Sequence, residues 1–382
     1  MVDFMSTGAI DNPAVAAAVR HLYLHIPFCA RICPYCAFYK ERADPTQVAR
    51  FCEAIVEELS LAVAGRNFRL ETIFFGGGTP TALATAQLEI VLAGFHAQLD
   101  LSTLREWTLE ANPGSVSKGK ARLLRERGVN RISLGVQSFD DALLQMLGRE
   151  HSAEQAEASF DLLRRSGFEN LNIDLMFGLP GQTLAQWEAT LRRAIALGPA
   201  HISSYCLTYE EDTEFFRRQA RGEFRSDPEA DADFFNLAGE SLGKAGFEHY
   251  EVSNYAQPGF QSVHNRAYWS GNDYLGLGPS AVSTIGLRRW QNISDYRVYT
   301  DRVLAGETAS TGDETLTPAM KRAEAIALSL RTNRGIPVQW VEDQADEVAE
   351  FVRLGLMQPR GERYVLTRAG RFLADSVAEA FV

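Results

Sequence analysis

Three cysteines lie within eight consecutive positions of this chain, at Cys29, Cys33 and Cys36 in the segment CARICPYC. The whole chain of 382 residues contains only five cysteines. Thiolates bind soft metals, so three of them on one loop can converge on a single metal centre. Three thiolates on a four-iron cluster would leave one iron open to a small molecule, and we interpret the segment as such an iron–sulfur site.

A structural zinc site is the alternative for the same three cysteines. Structural zinc usually takes four ligands from paired knuckles, and the sequence contains no second knuckle. The two remaining cysteines, Cys52 and Cys206, fall in the middle of a predicted helix and a predicted strand. A cysteine in such a position is typically a small buried apolar residue, so neither is predicted to be a ligand.

The elements that must position this loop alternate between strands and helices. Short β-type runs occur at 22–26, 72–75, 107–111, 131–136, 170–177 and 201–208. Helical periodicity marks the segments between them, among them 47–63, 153–167 and 184–198. This alternation predicts βα units with a parallel sheet, that is, an α/β fold. Six units favour an open, partial (β/α)6 barrel over a complete eight-stranded one.

Polar residues stand at or just after the end of each predicted strand. The cysteine run follows the first strand and GGGTPT follows the second, while Glu110, Gln137, Asp174 and Thr208 mark the third to sixth. In parallel barrels the functional groups lie at the carboxyl ends of the strands. We therefore expect these groups to share one mouth of the barrel.

The sequence divides into four predicted regions: 1–20, 21–240, 241–300 and 301–382. Residues 1–20 are predicted to be an N-terminal tail and residues 21–240 the barrel core. Residues 241–300 are a connecting region, and residues 301–382 are a small winged-helix-like α+β domain made of helices and a short hairpin. A net charge of −11 repels phosphate backbones, so we expect this last domain to pack against the core and to bind no nucleic acid.

The composition, 46% hydrophobic and 23% charged, is that of a soluble globular protein. No apolar run is long enough to cross a membrane, and the first twenty residues do not read as a secretory signal. Few cysteines and no signal favour a reducing, cytoplasmic location.

Several motifs together resemble the radical S-adenosylmethionine (SAM) superfamily and, within it, the oxygen-independent coproporphyrinogen III oxidase family. They are YLHIPFC, FFGGGTP, LEANP, SLGVQSF, NIDLMFGLPGQT and YEVSNYA, in order from about residue 21 onwards. The resemblance implies a partial (β/α)6 barrel of radical SAM type. It also implies that Cys29, Cys33 and Cys36 hold a [4Fe-4S] cluster whose open iron binds SAM.

The resemblance further implies a set of SAM-contacting residues. Tyr23 and Tyr35 would flank SAM, and Gly77, Gly78 and Thr79 would contact its methionine part. Glycine lets the main chain approach closely, and its amides can face a carboxylate. The remaining SAM-contact positions implied by the resemblance are Glu110, Gln137, Arg149, Asp174 and Thr208.

Two features select a branch of that family. The decarboxylating oxidases have a further cysteine where this chain has Phe38, and a longer N-terminal segment. The sister branch, the HemW heme chaperones, lacks both. In addition, HNRAYW matches the H-N-x-x-Y-W pattern associated with heme binding in that branch, which implies roles for His264, Tyr268 and Trp269. His264 is the candidate axial ligand, with His25, His249 or a cysteine as alternatives.

The resulting hypothesis is a protein that binds a [4Fe-4S] cluster, SAM and heme. It would deliver heme to an acceptor protein, including through peripheral contact with a membrane-bound one. The cluster and SAM would then regulate delivery or attach heme covalently, and no catalytic residue is assigned. One alternative is the oxidase itself, which forms protoporphyrinogen IX by a 5'-deoxyadenosyl radical. A second is a heme-storage module with a vestigial cluster.

Overall fold

The computed structural model describes residues 18–224 and 227–382, so most of the predicted N-terminal tail lies outside the described residues. Its first part alternates strands and helices as the sequence predicts. In chain order the elements are β1 (Val19–Ile26), β2 (Phe28–Cys29), β3 (Glu41–Arg42), α1 (Pro45–Ala64), β4 (Phe68–Gly77), α2 (Thr85–Gln98), β5 (Glu106–Ala111), α3 (Lys118–Glu126), β6 (Arg131–Gln137), α4 (Asp141–Met146), α5 (Ala153–Arg165), β7 (Asn170–Phe177), α6 (Leu184–Ala196) and β8 (His201–Cys206).

The helices of this part begin where local capping predicts. Asp44 accepts the Thr46 backbone N–H at the start of α1, and Pro45 occupies the first turn. Ser152 forms a capping box with Gln155 at the start of α5. Such side chains satisfy the backbone N–H groups that a helix start leaves unpaired.

The rest of the chain completes the sheet and adds a second unit. The middle elements are α7 (Glu214–Ala220), α8 (Pro228–Lys244), β9 (Glu248–Glu251), β10 (Asn254–Ala256), α9 (Val263–Trp269), β11 (Leu275–Leu277), β12 (Val282–Ile285), β13 (Arg288–Asn292), α10 (Tyr296–Leu304) and β14 (Ser310–Thr315). The last are α11 (Pro318–Leu330), β15 (Ile336–Pro337), α12 (Ala345–Arg353), β16 (Met357–Arg360), β17 (Arg363–Leu366), α13 (Arg368–Phe372) and α14 (Ala374–Glu379).

The main sheet has nine strands in the order β11-β1-β4-β5-β6-β7-β8-β10-β9. Strands β11 to β8 in this order are parallel, and β10 is antiparallel to both of its neighbours. Its two edge strands, β11 and β9, do not pair with each other within the described residues. The predicted α/β fold with an open parallel sheet is confirmed. The sequence did not predict that β11 would extend the sheet beside β1.

The two faces of the sheet differ in polarity. Leu22, Leu24 and Ile26 of β1 are fully buried in the main hydrophobic core, beneath the helices. Side chains alternate along a strand, so His21, Tyr23 and His25 point to the opposite, inner face. The same alternation places Asn172 and Asp174 of β7 on that inner face, between core residues such as Ile173. The inner face is therefore polar, and it holds the candidate site.

The C-terminal unit has its own hydrophobic core, formed by residues between Ile326 and Phe381. Its strands form a small sheet in the order β15-β17-β16, flanked by α11, α12 and α14. This confirms a small additional C-terminal domain, while the predicted boundaries at residues 240 and 300 stay predictions. Within the described residues, no helix is both long and apolar enough to span a membrane.

Glu58 of α1 ties the first helix to the later elements of the sheet. Its carboxylate accepts hydrogen bonds from the Gly278 N–H at 2.8 Å, the Asn292 amide at 2.6 Å and the Tyr299 hydroxyl. We expect Glu58→Ala to lower the free energy of unfolding by about 3 kcal/mol, because these donors would lose their acceptor. Urea denaturation measures this.

The control is Glu57→Ala, one position away on the same helix, where the side chain is exposed. We expect it to change stability by less than about 0.5 kcal/mol. Equal stabilities of the two variants would contradict the role given to Glu58.

Candidate functional site

The cysteine loop begins at a buried anchor. Phe28 directly precedes Cys29 and is fully buried, with its ring 4.9 Å from that of Phe51 and 5.2 Å from that of Tyr296. The three cysteines that follow are half-buried, and the loop turns through a hydrogen bond from the Cys36 N–H to the Cys33 carbonyl, 3.2 Å long. The anchor fixes one end of the loop to the core and leaves the thiols at its surface.

A hydrogen-bonded arc connects two of the cysteines across the mouth of the sheet. The Cys29 thiol lies 3.6 Å from the Thr79 hydroxyl, which accepts a hydrogen bond from the Asn112 amide at 2.8 Å. The Asn112 carbonyl oxygen in turn accepts from Arg149 at 2.6 Å, and Arg149 Nη1 lies 3.7 Å from the Cys33 sulfur. Sequence reasoning assigned Asn112 no role, although the LEANP motif that contains it had been recognised.

The donor set fits an iron–sulfur cluster. Burial raises the pKa of the Cys29 and Cys36 thiols, while Arg149 near Cys29 and Lys40 near Cys36 favour the thiolates. Across residues 18–224 and 227–382, no three His, Cys, Asp or Glu side chains are close enough to share one metal ion. A four-iron cluster does not require this, because its thiolates bind different irons.

The GGGTP turn packs against the segment that carries Cys29. Gly77 has a φ of 104°, and a Cβ at that position would lie 2.6 Å from the His25 ring. A Cβ at Gly78 would lie 2.6 Å from the carbonyl of Pro27. Glycine is thus required at both positions, because a side chain would collide with the segment that precedes Cys29.

The amides of this turn have hydrogen-bond partners within the protein. The Gly78 N–H donates to Ile26 O and the Thr79 N–H to Phe28 O, each at 2.8 Å. The Gly77 N–H donates to the Glu110 carboxylate. Each of these three amides already has a partner within the protein, and contact of this turn with SAM stays a prediction.

Two carboxylates lie on the inner face below the turn. Burial and the neighbouring Asp174 raise the pKa of Glu110 to about 8. Asp174 accepts hydrogen bonds from the Ser133 hydroxyl at 3.0 Å and the Asn172 amide at 2.7 Å, and burial raises its pKa as well. Carboxylates held in this way suit ribose hydroxyls or an ammonium group, which are the polar parts of SAM.

The other predicted SAM-contact residues lie around the same mouth. Tyr23 contacts His25 Nδ1 through its hydroxyl at 3.1 Å, and the Tyr35 ring is 6.0 Å from that of Phe215. Gln137 has a φ of 70°, a conformation that is rare for a residue other than glycine and that clusters at functional sites. Thr208 lies two residues beyond the end of β8 rather than within the strand.

The HNRAYW segment forms α9, whose N-terminus rests on a buried carboxylate. Glu106 of β5 is 3% exposed. It accepts hydrogen bonds from the Ser262 hydroxyl at 3.1 Å, the Val263 N–H at 2.9 Å and the His264 N–H at 3.0 Å. A carboxylate there satisfies unpaired amides and complements the positive end of the helix dipole. Sequence reasoning missed Glu106, because no local signal links it to a helix 156 residues away.

The imidazole of His264 points towards the inner face of the sheet. Its Nδ1 lies 2.8 Å from the Thr72 hydroxyl, and its ring lies 5.1 Å from that of Phe74. Burial and the nearby His21 lower the pKa of His264 to about 3, so the ring is neutral at physiological pH. Within the described part of the chain, its Nε2 has no hydrogen-bond partner.

In the two alternative histidines, His25 and His249, the Nε2 atom has a hydrogen-bond partner. Both ring nitrogens of His25 are engaged, Nδ1 with the Tyr23 hydroxyl and Nε2 with the Tyr39 carbonyl at 2.9 Å. The Nε2 of His249 lies 3.0 Å from the Val252 carbonyl, and its ring stacks on Tyr255. His264 is thus the better placed of the three to offer a nitrogen to iron.

The aromatic residues of the motif lie at the other end of α9. Tyr268 is 43% exposed, and its ring lies 5.2 Å from that of Trp269 and 5.6 Å from that of Tyr274. Tyr268 and Tyr274 line a cavity of about 240 Å³. No ring contact joins His264 to Tyr268 or Trp269 among the described residues, so the structure does not bring the three side chains together.

A chain of hydrogen bonds runs from Asp174 to the start of α9. Its members, in order, are Asp174, Asn172, His201, Tyr250 and Ser262. The Asn172 carbonyl oxygen lies 2.6 Å from His201 Nδ1, and His201 Nε2 lies 2.8 Å from the Tyr250 hydroxyl. That hydroxyl also accepts the N–H of Ser262 at 3.2 Å, and Ser262 caps α9. The candidate SAM site and the HNRAYW helix therefore share one polar network.

Phe38, at the position where the resemblance places a further cysteine in the oxidases, is 70% exposed. Its ring projects from the cysteine loop and takes no part in the core. A phenylalanine there can neither ligate a metal nor donate a hydrogen bond.

The glycine packing generates a prediction about cluster loading. Gly78→Ala would place its Cβ against Pro27 and displace the segment that carries Cys29, since overpacking forces backbone shifts. We expect anaerobic reconstitution of this variant to give severalfold less iron and sulfide than the wild type. Gly119→Ala on α3 should load normally, because its Cβ would meet nothing closer than 3.9 Å.

The cysteines provide the second comparison in that experiment. Alanine at Cys29, Cys33 or Cys36 should abolish cluster loading, whereas Cys52→Ala and Cys206→Ala should not. Full loading of Gly78→Ala would refute the packing argument, and stoichiometric zinc in place of iron would refute the iron–sulfur assignment.

Comparison with known proteins gives a matching family and several similar relatives. Residues 23–194 match the family described as the Radical SAM superfamily. The chain is 35% identical over 373 residues to a protein of Lactococcus lactis named "Heme chaperone HemW", covering 94% of this chain and 96% of the relative. It is 40% identical over 263 residues to the protein of the same name from Escherichia coli, covering 68% of each.

A solved structure also resembles the whole chain. The coproporphyrinogen III oxidase HemN of Escherichia coli, described as a radical SAM enzyme, superposes with a TM-score of 0.81 at 24% identity, over 95% of this chain and 90% of that one. At this identity the likeness establishes the fold. Identity over nearly the full length of a HemW relative establishes more: this chain belongs to the HemW family of heme chaperones within the radical SAM superfamily.

Proposed function

We propose that this protein is a heme chaperone that binds heme, holds a [4Fe-4S] cluster with SAM beside it, and passes the heme to an acceptor protein. The observation that carries the proposal is the state of His264. A neutral imidazole with a free Nε2 lies on a helix whose sequence has the heme-associated pattern, in a chain that belongs to a heme chaperone family. Neutral imidazole is a common ligand of heme iron.

The cluster would be held by Cys29, Cys33 and Cys36, with the arc of Thr79, Asn112 and Arg149 orienting two of the thiolates. Such an arc acts on a metal site by fixing its ligands and by donating hydrogen bonds to sulfur. When bound, the cluster supplies an iron that is open to the amino and carboxylate groups of SAM. The residues on the inner face would hold the rest of SAM, with Glu110 and Asp174 at its polar groups.

In the proposed heme site, Thr72 orients the ring of His264. A hydroxyl that hydrogen-bonds Nδ1 fixes the ring orientation and leaves Nε2 as the metal-binding nitrogen. The exposed Tyr268 ring, with Tyr274 beside it, offers an aromatic surface for a porphyrin face. The Tyr268 and Tyr274 rings lie away from His264. Heme binding would therefore require either that α9 rearranges or that the porphyrin extends from His264 to these rings.

Delivery distinguishes a chaperone from a storage module. A chaperone must release heme to a protein partner, whose identity the sequence does not specify. We place this transfer in the cytoplasm, where clustered thiols stay reduced, and we include peripheral contact with a membrane-bound acceptor.

The heme proposal predicts a Soret band that depends on His264. His264→Ala should shift this band or weaken heme binding at least tenfold, because the iron would lose its imidazole ligand. A heme titration followed by absorbance measures both. His96→Ala is the control, because His96 is exposed on α2 and contacts the Arg127 carbonyl.

Identical spectra and affinities for the wild type and His264→Ala would remove His264 as the ligand. Transfer of heme from the loaded protein to apomyoglobin, followed by the myoglobin spectrum, tests delivery. Retention of all heme by the loaded protein would favour the storage alternative.

The same proposal predicts that the protein forms no protoporphyrinogen. Decarboxylation requires the β-carbon of each reacting propionate to approach the deoxyadenosyl carbon to about 3 to 3.5 Å in a site closed to water. The solvent-exposed Phe38, at the position of the oxidases' further cysteine, offers neither a ligand nor a hydrogen bond. We expect no product from coproporphyrinogen III under anaerobic, reducing conditions with the cluster loaded.

SAM cleavage is measured in the same assay as a control for a competent cluster. Slow cleavage without porphyrin product agrees with the proposal, since cleavage requires only the cluster and SAM. Many product molecules per cluster would support the oxidase instead.

A further inference from the structure

A second cavity, of about 240 Å³, lies at the junction of the core and the C-terminal unit, away from the cysteine loop and α9. Phe235 of α8 and the stacked pair His249 and Tyr255 line it from the core side. Leu366 of β17 and two arginines of α13, Arg368 and Arg371, line it from the C-terminal side; we call this the junction cavity.

The junction cavity contains more positive than negative charge at its wall. Arg371 donates to the His249 carbonyl at 3.0 Å and has no carboxylate within 4 Å among the described residues. Burial lowers the pKa of Arg371, while the nearby Tyr255 and Glu251 oppose that shift. Arg368 has one carboxylate neighbour, Glu240 at 3.5 Å, and that pair is half-exposed, so it contributes little. Arg371 is half-buried and Arg368 is exposed, and neither guanidinium has a carboxylate closer than 3.5 Å among the described residues.

Tyr255 adds an unmatched donor. It is 1% exposed, and its hydroxyl has no hydrogen-bond partner among the described residues. Both Arg368 and Arg371 lie close enough to affect its titration. A buried hydroxyl without a partner costs about 1 to 3 kcal/mol, and such groups in native proteins usually have an explanation such as a bound ion or ligand.

One glycine of α8 makes room for this arrangement. A Cβ at Gly239 would lie 3.2 Å from Nη2 of Arg368. Glycine inside a helix costs about 1 kcal/mol relative to alanine. Its presence in the middle of α8 lets the Arg368 guanidinium lie against the helix at the edge of the cavity.

We propose that the junction cavity binds a small organic carboxylate. The carboxylate group would be held between the guanidinium groups of Arg368 and Arg371, which match its planar shape. The Tyr255 hydroxyl would donate to the same carboxylate, and the apolar body would lie against Phe235 and Leu366. Phe235 and Leu366 in the wall favour a carboxylate that carries an apolar body over a bare oxyanion. Occupation would join the C-terminal unit to the core through one ligand.

Thermal unfolding of the purified full-length protein, with no heme added, tests the proposal. Benzoate is titrated at constant ionic strength against chloride, and inorganic phosphate is titrated in parallel. We expect benzoate to raise the Tm in a saturable way and phosphate to raise it at least tenfold less effectively, because phosphate lacks an apolar body. Arg368→Gln and Arg371→Gln should each weaken the benzoate response at least tenfold.

The matched control is Arg322→Gln, an exposed arginine of the C-terminal unit whose partner is Asp343. It should respond to benzoate as the wild type does. If Arg371→Gln does not fold, the benzoate responses of Arg368→Gln and Tyr255→Phe test the proposal. Both should be weaker than that of the wild type. The proposal is overturned by benzoate acting no better than chloride, by phosphate acting as well as benzoate, or by arginine variants that respond like the wild type.

Discussion

The burial of polar groups on the inner face of the sheet is the constraint on which the rest of this structure depends. A parallel sheet covered by helices on one side must place alternate side chains on the other, and here those side chains include Glu106, Glu110 and Asp174. Buried polar groups are usually hydrogen-bonded. Each one accordingly accepts from a neighbouring strand, a turn or a helix start, and these bonds fix the elements at the mouth.

The cysteine loop is positioned by this constraint as well as by its anchor. The GGGTP turn gives its amides to the chain, namely to Ile26, Phe28 and Glu110, and so joins β4 to the segment before Cys29. Thr79 then passes the connection to Asn112 and Arg149. The three candidate cluster cysteines are on a loop, and the groups around them are held in place by hydrogen bonds to one another, as a preorganised site requires.

Sequence reasoning predicted the features that depend on residues close together in the chain. Strand and helix periodicity predicted the six βα units, and capping residues such as Asp44 mark the helix starts. Long-range pairing was not recoverable, because nothing near Leu275 indicates that β11 pairs with β1. The same holds for Glu106 beneath α9 and for the clash that Gly78 avoids, since both depend on residues distant in sequence. The motifs predicted the candidate site residues, whereas the structure showed which residues pack against them and hydrogen-bond to them.

The support of α9 by Glu106 has a consequence for the order of events during synthesis. A helix of seven residues is too short to persist alone in water, and this one begins on a carboxylate that β5 contributes. The heme-associated segment therefore takes its final shape only after the sheet has assembled around it. A nascent or misfolded chain would present His264 without that support, so the defined geometry of His264 arises together with the completed fold.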